Sequence, residues 1–188
     1  MSNSETTYLL IDGENIDATL GMSVLNRRPH PEERPRWDRI LTYAEDIFGR
    51  DTRALFFLNA TSGQLPISFV QALIAMDYRP VPLAGVGSEK VVDIGIQQTL
   101  EALNERGPAH VLLASHDGDF IPQVADLLRN GSRVGVVCFR EFLNVELAAL
   151  SEEGLEIFDL ESQVNAFQVA LPRVRIIPLA DFDPTEFI

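Results

Sequence analysis

Five short apolar runs, each separated from the next by a stretch with helical periodicity, constrain this chain more than any other feature. They lie at 6–11, 53–59, 78–84, 109–115 and 133–139, with a weaker sixth at 155–160. Runs this continuously apolar leave no polar face for solvent, so the strands they form must be covered on both sides. The alternation predicts an α/β fold: a mainly parallel sheet with helices on both faces, in three layers. Between the runs, Trp37, Ile40, Leu41, Ala44, Ile47 and Phe48 fall at three- and four-residue spacing before Gly49. The stretch 65–77 is a second helical pattern. Val92, Ile96, Leu100 and Leu103 share one face of a third that stops at Gly107. Phe120, Val124, Leu127 and Leu128 do the same in a fourth, with Pro122 in its first turn and Gly131 past its end. Residues 142–154 are a shorter candidate, and 21–36 read as a long loop rich in Pro and Arg.

A chain of 188 residues, 46% of them hydrophobic, supports one domain with a full core. We place that domain at 1–160. Residues 161–188 form an extension, read as a short helix or edge strand and an acidic end carrying Phe182 and Phe187. It is expected to pack on the domain or on a second subunit, which allows a homodimer. No run of eighteen apolar residues and no signal-like N-terminus is present, so the expectation is a cytoplasmic protein without a membrane segment. The one cysteine, Cys138, sits in an apolar strand and reads as a small buried hydrophobe.

The formal charge of -13 excludes a protein that coats nucleic acid through its whole surface, because such binding rests on basic residues neutralising phosphates. A local basic patch is still available. Arg27, Arg28, Arg34, Arg36 and Arg39 cluster in one segment, where Trp37 or His30 could stack on an unpaired base. Glu32, Glu33 and Asp38 cut the charge of that segment, and Trp37 equally begins the apolar face of the next helix.

In an open parallel sheet, ligands bind outside the carboxyl ends of the strands. Asp12, Glu14 and Asn15 follow the first strand, Asn59 the second, Glu89, Lys90 and Asp93 the third, Ser115, Asp117 and Asp119 the fourth, and Arg140 the fifth. Singly, each aspartate reads as a turn or helix-cap residue. Four carboxylates arriving at one edge from three strand ends are a different matter, because gathered without a cation they repel one another. A hard divalent ion such as Mg²⁺ or Mn²⁺ removes that conflict, and acidic clusters holding such ions hydrolyse phosphodiesters.

The segments "LLIDGENI", "EKVVDIGI" and "LLASHDGDFIPQVADLLRNGSRVGVV", in that order, resemble the NYN domain family of the PIN-like nuclease superfamily, which includes the bacterial LabA-like proteins. The resemblance covers roughly 6–160. It implies a Rossmann-like sheet of order 3-2-1-4-5 and a metal-dependent ribonuclease acting on single-stranded or structured RNA. It assigns Asp12, Asp93, Asp117 and Asp119 as catalytic metal ligands. Asn15 and Ser115 match the accompanying polar positions, and Lys90 the lysine before Asp93. Arg140, Arg27, Arg28 and Arg36 are the further candidates for substrate contact. His116 stands where members often carry glycine, and is expected to be an exposed filler. Two other readings fit the residues: a non-catalytic regulatory or scaffold protein of the same fold, and a metal-dependent phosphatase, although the latter would carry its paired aspartates after the first strand.

Overall fold

The computed structural model describes residues 6–188. Six parallel strands form one sheet of order β3-β2-β1-β4-β5-β6: β1 (Thr7–Asp12), β2 (Thr52–Asn59), β3 (Tyr78–Leu83), β4 (His110–Ala114), β5 (Arg133–Cys138) and β6 (Glu156–Asp159). The expected order holds for five strands, and the weak sixth run adds the edge beside β5. Helices α1 (Gly13–Thr19), α2 (Trp37–Phe48), α3 (Ile67–Ala75), α4 (Val91–Arg106), α5 (Ile121–Arg129) and α6 (Val145–Ala149) fill the intervals.

The period of two along each strand divides the core into two layers. Leu9, Ile11, Phe56, Leu112 and Val137 face α1, α2 and α3 and bury Ile16, Ile40, Ala44 and Leu73. Leu10, Phe57, Leu113, Val134 and Val136 face the other way, onto Ile96, Leu100, Val124, Leu127 and Leu147 of α4, α5 and α6. Cys138 is fully buried in this second layer, where burial pushes its thiol up to about 12. Among the described residues, no helix is long and apolar enough to cross a membrane.

Two sequence expectations change. The segment after β1 is helical, not a turn leading into a loop: α1 continues as a π-helical stretch, Leu20–Leu25, and ends at Asn26 with a left-handed φ of 54°. Ile16, Leu20 and Val24, four residues apart, are its buried stripe. The extension contains neither an ordinary helix nor a strand, only the short 3-10 turns Leu179–Asp181 and Pro184–Phe187. Pro172, Pro178 and Pro184 remove backbone donors along it. Its first part joins the α2 side of the core through Val164, Ala166, Phe167 and Leu171.

Candidate functional site

The chain reverses its direction of travel across the sheet between β1 and β4, and the crevice at their carboxyl ends is the natural place for a ligand. Asp12 ends β1 and caps α1, accepting the Asn15 amide N–H at 3.4 Å. Its other oxygen accepts the Ser115 hydroxyl at 2.8 Å from the residue just after β4. Ser115 Oγ in turn accepts the Asp117 N–H at 3.2 Å, and Asp117 Oδ1 accepts the Asp119 N–H at 2.9 Å. A run of local hydrogen bonds therefore ties the β1 carboxylate to the pair after β4.

Asp93 enters from the first turn of α4. One carboxylate oxygen from each of Asp93, Asp117 and Asp119 lies within 4.8 Å of the other two. Asp12 stands beside this trio, 2% exposed, and borders a cavity of about 350 Å³ together with Asp93 and Asp117. Burial, then the charges of Asp93 and Asp117, push its carboxyl up to about 7 against the opposing pull of Ser115 and Asn15. Asp93 is raised for the same reasons, burial first and Asp117 second.

Lys90 is the only lysine in the chain. Its ammonium lies 3.3 Å from Asp119 and 3.7 Å from Asp93, on a side chain that is 70% exposed. The hydrogen bond to Asp119 holds its pKa above the ordinary lysine value. One exposed ammonium therefore faces the carboxylates of Asp93, Asp117 and Asp119. Asn15 also borders the cavity, and its Oδ1 accepts both the His116 N–H at 2.8 Å and the ring at Nδ1, 2.9 Å away.

His116 corrects the expectation of an exposed filler. It is 6% exposed, and its Nε2 accepts the Phe139 N–H at 2.7 Å. The buried ring bridges Asn15 of α1 and Phe139, the residue just after β5. A lone histidine between two polar residues gave no sign of this in the sequence. Glu14, Asn59 and Glu89, noted only as residues after strands, also line the cavity.

The arginines lie elsewhere. Arg27 grips Glu33 with two hydrogen bonds of 2.8 and 2.7 Å, and Arg36 pairs with Asp38 at 3.2 Å. Arg34 pairs with Asp17, while Arg39 donates to the carbonyls of Asn165 and Phe167. Arg140 donates to the Ile157 carbonyl and to Gln163 beside β6. Arg28 borders a separate cavity of about 640 Å³ whose wall includes Glu14. None of Arg27, Arg28, Arg36 and Arg140 lines the carboxylate cavity.

No curated protein matches the sequence. Among solved structures, a protein of unknown function from Vibrio parahaemolyticus shares the fold, with a TM-score of 0.65 and 16% identity over 86% of this chain and 96% of that one. The model of the NYN domain matches residues 6–153. That span contains β1 to β5, the helices between them and all four aspartates of the crevice, and on this match the chain belongs to the NYN domain family, whose PIN-like fold is that of nucleases.

Proposed function

We propose that the protein is a ribonuclease that hydrolyses internal RNA phosphodiester bonds with the help of bound Mg²⁺ or Mn²⁺. The observation that carries this reading is the meeting of Asp93, Asp117 and Asp119 within 4.8 Å, beside the buried Asp12. The donor set fits such an ion: every candidate ligand is a hard carboxylate oxygen, and neither Cys nor His belongs to the trio. Asp93, Asp117 and Asp119 would hold it, with Asp12 as the fourth ligand. When bound, the ion supplies a water acidic enough to attack phosphorus at neutral pH and offsets charge on the phosphate oxygens.

The chain's own residues do the rest. Ser115 fixes the rotation of the Asp12 carboxylate through its 2.8 Å hydrogen bond. With Asn15 Oδ1 engaged by His116, its Nδ2 is the end available to donate to a phosphate oxygen. Lys90 is exposed and has a flexible stem, so it can pass from Asp119 to the incoming phosphate. Arg28 borders the neighbouring cavity that shares Glu14 with the carboxylate crevice, and it is the candidate for contact with the RNA backbone. Arg27, Arg36 and Arg140 would first have to leave Glu33, Asp38 and Gln163. The family supports RNA as the nucleic acid.

The test is cleavage of single-stranded and hairpin RNA by the purified protein with Mg²⁺ or Mn²⁺. Asp117→Asn should lower the rate by about a hundredfold or more. Either ion should also raise the melting temperature of the wild type, and Asp119→Asn should remove the rise. RNA left uncut would overturn the reading; with the melting shift intact, it would leave a metal-binding regulatory protein of the same fold.

A further inference from the structure

A second cavity, of about 420 Å³, opens next to the carboxylate crevice, where α1, α2 and the start of α3 meet β2. Its wall is aromatic and apolar: Trp37, Phe56, Phe69, Leu58 and Pro66. Trp37 and Phe69 each meet the Phe56 ring edge-on, at centroid distances of 5.0 and 5.3 Å. The Trp37 backbone is anchored at its carbonyl by the Tyr78 hydroxyl, 2.8 Å away. The volume lies in the range of small-ligand pockets, about 300–1,000 Å³.

The two cavities are neighbours along the chain itself. Asp12 and Asn59 border the carboxylate cavity, the adjacent Gly13 and Leu58 border the aromatic one, and Glu14 borders both. With Glu14 common to both walls, a ligand that enters one cavity passes beside the other. At the rim of the aromatic cavity the Asp17 carboxylate is held by Arg34 at 2.5 Å and has acceptor sites left over.

We propose that this cavity binds one unpaired nucleobase of the nucleic acid whose phosphate enters the carboxylate crevice, and that Asp17 favours a base carrying an exocyclic amine. The inference rests on the nuclease reading for the strand that delivers the base. A flat, weakly polar ring suits walls of Trp and Phe, since stacking is available to every base. Adenine and cytosine offer amine donors that an acceptor-only carboxylate can receive, whereas uracil presents a carbonyl oxygen there. Duplex RNA hides these faces, so the site selects single-stranded segments.

Trp37 is the only tryptophan in the chain, which makes its fluorescence a reporter of this cavity alone. The full-length protein is titrated, without divalent ion, with adenosine, cytidine and uridine 5′-monophosphates and with ribose 5-phosphate. The adenosine and cytidine nucleotides should quench saturably, uridine about fivefold more weakly, and the base-free sugar phosphate not at all. Phe69→Ala should weaken the response about fivefold or more. So should Pro66→Asp, a change at an exposed cap of α3 where Asp suits the helix, with melting temperature retained. Absent quenching, equal quenching by uridine or ribose 5-phosphate, or an unchanged response in both variants would overturn the proposal. So would quenching by a synthetic 176–188 peptide and by no nucleotide, which would give the cavity to the tail of a second copy. A silent Trp37 in a protein whose RNA cleavage depends on Asp117 overturns the base site alone. Quenching in a protein that leaves RNA uncut overturns the nuclease reading alone.

Discussion

His116 shows how closely the crevice depends on one neutral side chain. Its Nε2 accepts the Phe139 N–H, so the ring proton must sit on Nδ1 and donate to Asn15. The ring also lies flat against Phe139, with centroids 5.8 Å apart and planes 9° off parallel. Burial holds the imidazole down at about 4, against an ordinary 6.5. Between those values the unfolded chain binds a proton that the folded protein refuses. This contribution to stability is complete above pH 6.5 and is lost as pH falls toward 4, on the order of 3 kcal/mol in all. Asp12 acts with the opposite sign, because its carboxyl is raised to about 7: it favours the fold at low pH, and that help is lost as pH rises through 7. His116→Leu should cost roughly 1–3 kcal/mol at pH 7, by orphaning the Phe139 N–H and removing one of the two donors to the Asn15 side-chain oxygen. In urea unfolding at pH 4.5, 5.5 and 6.5, the gap between wild type and variant should shrink as pH falls. A constant gap would mean that the histidine does not stay neutral.

At the scale of elements, the loop from β4 into α5 is held by its contact with the start of α6. Gly118 has an ordinary backbone conformation, and glycine is needed there for space: a Cβ would lie 2.6 Å from Asn144 Nδ2. Asn144 cannot easily give way, since its Oδ1 caps α6 by accepting from Glu146 and Leu147 and its N–H donates to the His116 carbonyl. Gly118→Ala should therefore destabilise by about 1–2 kcal/mol and reduce the Mg²⁺-induced rise in melting temperature, because the loop that moves carries Asp117 and Asp119. Calorimetry with and without the ion reads both effects. The elements themselves were legible because α2, α4 and α5 have apolar stripes that end at Gly49, Gly107 and Gly131, all with positive φ. Helix α1 escaped because Asp12-Gly13 reads as a turn, although Asp12 caps a helix whose stripe of Ile16, Leu20 and Val24 was there to be counted. The four aspartates were legible because one edge of a parallel sheet collects its strand ends. Which of them lie within one ion's reach, and that Asp12 stands more deeply buried than the rest, depends on side-chain packing that periodicity does not encode.

For the molecule as a whole, the family match ends at 153, but the core does not. The edge strand β6 lies beyond it, and Val164, Ala166, Phe167 and Leu171 then close the α2 side of the sheet. Phe167 stacks on Phe139 at 5.6 Å, and Arg36 N–H donates to the Ala166 carbonyl at 2.7 Å. Phe139 also stacks with His116, so the segment after β6 supports the crevice through Phe139. Arg173 adds ion pairs to Glu141 and Glu161, and beyond it Val174, Ile176, Leu179 and Ile188 are almost fully exposed. Burying a Val, Leu or Phe side chain stabilises by about 1.5–3 kcal/mol, so losing Val164, Phe167 and Leu171 removes an amount comparable with the roughly 5–15 kcal/mol that holds a domain folded. A chain ending at 160 should accordingly lose its cooperative melting transition. One ending at 175 should stay within about 1 kcal/mol of the full length, since what it lacks buries little. Thermal denaturation of the two truncations decides this: a cooperative transition in the shorter chain would show that the sheet and helices are stable without the segment after β6.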